Sequence, residues 1–337
     1  FMVGPAGILQ GMTGMSQNIW VWIILVYYIL ATLLPIDKII GRFYPVFGAA
    51  LIFMAVGILA VLFFGDYTIP NLTGETLRNM KADPDLSPLF PTLFITIACG
   101  AVSGFHATQS PMMARCITNE KQGRPVFYGA MVSEAIIALI WAAIAMAFFH
   151  GVEGLNGTLA EHGNNAAWAV DIITKTTLGK IGAILALLGV VAAPITSGDT
   201  AFRSARLIVA DFMKMEQRTL RKRLVICIPI FLFGFVITLL PFDVIWKYFA
   251  WVNQSLAAIC LCTVVVYIAS KNKPYIIALL PAMFMTFIVV FYILIAPEGF
   301  RLPYEVGLWG GIAATVVVAA ILLRVIRKNR AGQLLGR

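Results

Sequence analysis

Long apolar runs alternate with short polar and charged stretches along almost the whole chain. Nine runs stand out, at 18–35, 43–64, 89–105, 126–150, 181–195, 224–240, 248–269, 274–296 and 306–325. Most match the roughly 20 residues a helix needs to cross a bilayer. The pattern predicts an all-α integral membrane protein of about nine transmembrane helices, one transmembrane domain over 1–337. Two runs are interrupted. One stops at Ala193-Pro194-Ile195-Thr196-Ser197-Gly198-Asp199-Thr200, the other at Gly100-Ala101-Val102-Ser103-Gly104-Phe105-His106-Ala107-Thr108-Gln109-Ser110-Pro111. Pro and Gly free backbone groups, which at membrane depth survive only inside protein or beside a watery cavity. At least two broken helices are therefore expected, and paired broken segments point to the binding site of a secondary transporter. The fifth run is short, as a helix that breaks partway should be. Segment 199–216 is expected to continue as a helix along the cytoplasmic face.

Composition agrees. Hydrophobic residues are 60% and charged residues 12%, against about 25% charged in a soluble domain. The net charge of +9 does not imply nucleic acid, because the basic residues sit in a few loops. Lys38 and Arg42, then Arg115, Lys121 and Arg124, then seven residues from Arg203 to Arg223, then Lys271 and Lys273, and five from Arg324 to Arg337 fall in one set of alternate loops. The opposite set holds Arg78, Lys81, Lys175, Lys180, Lys247 and Arg301. The positive-inside rule places the first set in the cytoplasm, including a basic loop at 199–223 and a C-terminal tail at 326–337.

Phe1–Gln17 lacks the basic start of a signal peptide. It reads as the interior of a larger protein, with upstream sequence expected. The cysteines Cys99, Cys116, Cys227, Cys260 and Cys262 show no metal spacing and read as small apolar filler. No P-loop, zinc-protease motif or nucleophile elbow occurs, and the three histidines are scattered. The chain is not expected to be an enzyme or to hold a metal or cofactor. The sequence leaves the oligomeric state open.

Closely packed spans should carry small residues on one face. Gly182, Ala186, Gly189 and Ala193 form such a stripe, as do Ala130, Glu134, Ala138 and Ala142, and Gly307 with Gly311 gives a G-x-x-x-G pair. The second stripe predicts that Glu134 faces protein. An ionisable group inside a span costs about 2.5–3.5 kcal/mol and is a functional candidate. Glu134 reads either as a proton carrier or as the partner of an arginine or a backbone break. His106 reads either as a proton acceptor or substrate donor, or as a cap on freed carbonyls. Ser103, Thr108, Gln109 and Ser110 add polar groups beside it. A helix restarting near Asp199 would present Thr196, Ser197 and Gly198 to an anionic substrate. Asp199 would then serve as a cap or in coupling, with Arg203 and Arg206 as its charge partners or as simple anchors. Asn253 and Gln254 read as interhelical glue or as substrate contacts, and Trp246, Tyr248 and Trp251 as an interfacial belt.

Residues 99–116, from Cys99-Gly100-Ala101-Val102-Ser103-Gly104-Phe105-His106 to Arg115-Cys116, resemble a signature of the carbon starvation protein A family. The stretch Pro194–Arg206 resembles a second signature, and Tyr248-Phe249-Ala250-Trp251-Val252-Asn253-Gln254 a third. The N-terminal Gly-Pro motifs of that family are only faintly matched, by Val3-Gly4-Pro5. The resemblance implies a bacterial or archaeal inner-membrane transporter linked to carbon starvation, taking up pyruvate, with protons, or peptides. It also implies an inverted-repeat fold related to the amino acid–polyamine–organocation superfamily. The resulting expectation is a secondary transporter for pyruvate or a similar carboxylate. A peptide permease is the alternative within the class, and a channel or a non-transporting sensor lies outside it. The expected partners are the substrate, protons and membrane lipid.

Overall fold

The computed structural model describes residues 1–33, 44–71, 73–74, 76, 78–81, 84–98, 102–217 and 219–335. Lys38, Arg42, Cys99, Gly100, Ala101, Arg218 and Arg337 lie outside the described residues. The regular elements described are all helical: α1 Val3–Thr13, α2 Gln17–Leu33, α3 Tyr44–Phe64, α4 Leu89–Ile97, α5 Gly104–Ala114, α6 Gly129–Phe148, α7 Val152–Glu161, α8 Ala166–Ala186, α9 Ala192–Phe212, α10 Leu220–Ile237, α11 Phe242–Ser270, α12 Ile276–Ile295 and α13 Tyr304–Leu335. The expected tail from 326 is thus helical through Leu335.

Six helical stretches among the described residues are long and apolar enough to cross a membrane: Tyr44–Phe64, Glu120–Phe148, Ala166–Phe212, Val244–Ser270, Ile276–Ile295 and Tyr304–Asn329. Gln17–Ala31 is a shorter apolar helix. The difference from nine has physical causes. The helix of the run at 89–105, α4, ends at Ile97, and the next helix, α5, starts only at Gly104, each about half a bilayer long. Arg221, Lys222 and Arg223 occupy the first turn of the 18-residue α10, so its uncharged stretch is short.

The chain forms two compact units, Phe1–Thr76 with Ser133–Ile245, and Leu77–Val132 with Trp246–Arg337. In the first unit, α1, α2, α9 and α10 close around Leu9, Leu25, Tyr28, Cys227 and Phe231. A second cluster joins α3, α6 and α8 through Met54, Ile58, Ile140, Ile144, Ile173 and Ala186. Here the small-residue stripe of α8 behaves as expected. Gly182, Ala186 and Gly189 are buried, and a Cβ on Gly189 would sit 3.0 Å from the Leu51 backbone of α3.

The stripe of α6 does not. Ala130, Glu134, Ala138 and Ala142 lie on the exposed side. The buried side carries Ile140, Ile144 and Ala147. Ile140 and Ile144 pack into the cluster of Met54, Ile58 and Ile173 from α3 and α8, which fixes the inward face. The expectation that Glu134 faces into its own chain is therefore corrected.

The interruption at Ala193–Thr200 is corrected as well: α9 runs unbroken from Ala192 to Phe212, through Pro194. A proline deprives the carbonyl four residues earlier, at Val190, of its partner. The chain accommodates this by widening into a π-type turn at Leu187–Val191 rather than by stopping. The true break lies upstream, at Gly179 inside α8, with φ +59° and ψ −141°. Only glycine adopts that conformation readily. The turn is sharp enough to bring Gly182 back against the Thr174 carbonyl and Leu178.

In the second unit, α12 is the hub. Ile95 of α4, Ala258 of α11 and Met285, Ile288 and Tyr292 of α12 form one cluster, and Val265, Ala282 and Ile326 another. Gly307 and Gly311 lie against Ile295, Phe291 and Phe287, with ring atoms 3.0–3.1 Å from the positions their Cβ atoms would take. The G-x-x-x-G face is thus the seam between α12 and α13.

Candidate functional site

The second unit holds the break expected between residues 100 and 111. Helix α4 ends at Ile97 and α5 begins at Gly104. Ser103, 7% exposed, is extended and caps α5 by accepting the Phe105 N–H at 3.2 Å. The same N–H donates to Asn253 Oδ1 at 2.9 Å. Asn253 Nδ2 lies 3.0 Å from Ser103 Oγ, and Oδ1 lies 3.1 Å from it. A side chain 150 residues downstream therefore completes the cap of a half-length helix. Gly104 permits the approach. A Cβ there would strike the Asn253 carbonyl and come within 2.7 Å of Leu256 Cβ. Gln254 is fully buried beside this contact. His106, Thr108, Gln109 and Ser110 follow on α5, all half-buried. The Thr108 hydroxyl bonds back to the Phe105 carbonyl at 2.9 Å. Trp251, expected in an interfacial belt, instead donates its indole N–H to the Val289 carbonyl at 2.9 Å and ties α11 to α12.

The first unit holds a buried ionic group. Asp199, 3% exposed, faces Arg203 one turn on, with Nη2 to Oδ2 at 3.2 Å. Gly198 packs against Tyr28, whose hydroxyl donates to the Phe1 carbonyl at 3.0 Å. Phe202 stacks between Tyr28 and Phe231, with ring centroids 5.3 and 4.6 Å away. Nothing local marks Tyr28 as belonging here, since it lies in a run of aromatic and aliphatic residues. Because α9 is continuous, Asp199 is not an N-cap. Thr196, Ser197 and Gly198 are not the exposed start of a helix, and their N–H groups point along its axis to carbonyls one turn back. The Thr196 hydroxyl bonds the Ala193 carbonyl at 2.8 Å. Arg206 is half-buried on the same helix.

The structure thus joins Ser103 to Asn253 in one unit, and Gly198 and Asp199 to Arg203 in the other. Glu134 lies on the exposed face of α6. One ion pair was missed. Asp171 Oδ2 lies 2.7 Å from Lys175 Nζ, which also donates to the Gly11 carbonyl at 3.4 Å. Its i, i+4 spacing was readable, but Lys175 looked like a loop cation. Among the described residues, no group of three or more His, Cys, Asp or Glu is placed to hold a metal.

The sequence model for the carbon starvation protein CstA family matches residues 3–185, just over half of the chain, including the first signature stretch. An uncharacterized membrane protein of Haemophilus influenzae is 46% identical over 157 residues, 42% of each chain. The peptide transporter CstA of Mycobacterium tuberculosis is 36% identical over 133 residues, 36% of this chain and 17% of that one. The pyruvate/proton symporter BtsT of Escherichia coli is 55% identical over 60 residues, 17% of this chain and 8% of that one. The matches thus cover less than half the length of these relatives. No solved structure matches the chain.

Proposed function

The chain belongs to the carbon starvation protein CstA family, and on that footing we propose that it is a secondary active transporter for pyruvate or a similar small carboxylate, coupled to protons. It works in the inner membrane with its C-terminus in the cytoplasm, in a nine-span fold of the inverted-repeat kind, and it serves cells short of carbon. The observation that carries the reading is the Asp199–Arg203 pair, largely buried within the helical stretch Ala166–Phe212. A charge pair there is costly, and in membrane helices such groups mark ion and substrate pathways. Protonation of Asp199 neutralises the carboxylate and leaves the Arg203 guanidinium to a substrate carboxylate; deprotonation restores the pair and expels the substrate. Thr196, Ser197 and Gly198 line the same turn of α9, and Arg206 adds a second cation on it. His106 and Glu134 are the other candidates to carry the proton. Ser103, Thr108, Gln109, Ser110, Asn253 and Gln254 form the polar wall around the second break.

A peptide permease is the second reading. A cavity of about 440 Å³ in the first unit favours it, as does the name of the Mycobacterium relative. The test is uptake of labelled pyruvate and of a labelled dipeptide by the purified chain in proteoliposomes, with and without a pH gradient. Saturable, gradient-driven pyruvate uptake is expected. Non-saturating flux of both solutes would mean a channel, and no flux of either would end the transporter reading.

A further inference from the structure

An apolar groove runs between α2 and α10 and encloses about 240 Å³. Leu25, Cys227 and Phe231 are buried and form its floor. Ile228 and Leu232, 58% and 62% exposed, form its lip. Trp22 and Phe235 close one end, with ring centroids 4.5 Å apart. Leu224 marks the other. The lining side chains carry no charge, amide or hydroxyl, and their polar groups are the Cys227 thiol and the Trp22 indole N–H. An occupant must therefore be apolar along its length.

Leu224 to Phe235 spans about 16 Å of helix, roughly half of a hydrocarbon core of about 30 Å. That is the depth of one leaflet, the reach of an acyl chain rather than of a spanning helix. The end at Leu224 has a cationic rim. The groove residues of α10 recur at steps of three and four, and one such step back from Leu224 is Arg221. Lys222 follows it, and both are exposed. Arg223 Nε donates to the Gln217 carbonyl at 2.7 Å, which holds that guanidinium in place. Arg206 and Arg223 both lie within electrostatic reach of the Cys227 thiol on the floor. Just before α10, Asp211 and Glu216 outweigh Lys214 by one charge, which leaves the rim of Arg221, Lys222 and Arg223 positive. Basic residues beside a span attract anionic headgroups.

We propose that the groove holds one acyl chain of an anionic phospholipid and that Arg221 and Lys222 take its phosphate. A zwitterionic lipid offers the same chain, but its own cation offsets the phosphate at the rim. The proposal stands apart from the transport reading. It needs only that the chain sits in a bilayer, and it gives the lipid no step in transport.

The purified full chain in detergent is titrated with dioleoyl phosphatidylglycerol or with dioleoyl phosphatidylcholine, and retained lipid is counted by native mass spectrometry. Phosphatidylglycerol is expected to bind about tenfold or more tightly than phosphatidylcholine. Arg221→Gln combined with Lys222→Gln should cut that preference to about threefold or less, with the melting temperature unchanged because both side chains are exposed. Ile228→Trp should fill the groove from its lip and weaken both lipids. Glycerol phosphate at the same concentration should displace neither. Equal affinity for the two lipids in the unmodified chain overturns the proposal, as does a preference that survives in the charge variant. Displacement by glycerol phosphate, or unchanged binding of both lipids to a folded Ile228→Trp chain, would mean a phosphate site without the groove and overturns it too. A dimer that Ile228→Trp dissociates, with no preference between the lipids, would give the groove to a second copy of the chain instead. If Ile228→Trp lowers the melting temperature, the charge variant alone decides.

Discussion

Removing the Ser103–Asn253 contact should loosen the second unit by an amount that a double-mutant cycle can isolate. Ser103 Oγ and the Asn253 amide share two contacts at 3.0 and 3.1 Å, and both accept from the Phe105 N–H. Ser103→Ala leaves that N–H bonded to Asn253, so the cost should be about 0.5–1.5 kcal/mol. Asn253→Ala strips the shorter of the two bonds to Phe105 and leaves a buried hydroxyl with one partner fewer, at about 1–3 kcal/mol. The double variant should cost less than the sum, because the shared bond can be lost only once. The expected coupling is about 0.6–1.7 kcal/mol, the range for hydrogen bonds between membrane helices. Equilibrium unfolding in mixed micelles, followed by far-UV circular dichroism, measures all three variants. Costs that add to within about 0.3 kcal/mol would show that the two side chains do not act together and that the break is held by other contacts.

Gly179→Ala should lower stability by about 1–3 kcal/mol, because φ +59° with ψ −141° excludes a Cβ; an unchanged melting temperature would show that the bend relaxes freely. Asp199→Asn leaves Arg203 without its buried carboxylate, and is expected to cost about 3–5 kcal/mol and to abolish gradient-driven accumulation; accumulation at the unmodified rate would remove Asp199 from the coupling path. At least one of His106→Ala and Glu134→Gln should lose accumulation while keeping substrate exchange, and normal accumulation by both would clear both residues of carrying the proton. A single cysteine placed at Gln333 should resist an impermeant reagent added outside intact cells; labelling there would invert the proposed orientation.

The apolar runs were legible because length and hydropathy alone mark a span, and Tyr44–Phe64, Ile276–Ile295 and the G-x-x-x-G seam of α13 needed nothing further. The break before Ser103 was legible for a similar reason, since glycines and polar residues cluster there. Its partner was only half readable: Asn253 stood out as a polar residue in a span, but nothing local says that it meets Phe105. Pro194 misled, because a proline marks a lost hydrogen bond and not how the helix absorbs the loss. Gly179 was passed over, lying between Leu178 and Lys180 at what looked like the edge of a loop. Glu134 was misplaced by spacing alone, as residues four apart share a face whether or not that face is the buried one. Tyr28 depends on contacts between distant segments, and no local pattern announces it.

The π-type turn at Leu187–Val191 works as a phase shifter. It winds one residue more than an α-helical turn would, which rotates everything downstream by about 100° relative to the stripe of Gly182 and Ala186. Ala193, the next position of that stripe, accordingly emerges half-buried, and Gly198 and Asp199 come round to the interior in its place. The direction in which the Asp199–Arg203 pair points is thus encoded in the number of residues between Ala186 and Ala192, not in their chemistry. Substitutions among Leu187, Leu188, Val190 and Val191 leave that count intact, while the loss or gain of one residue would turn the charges to another face.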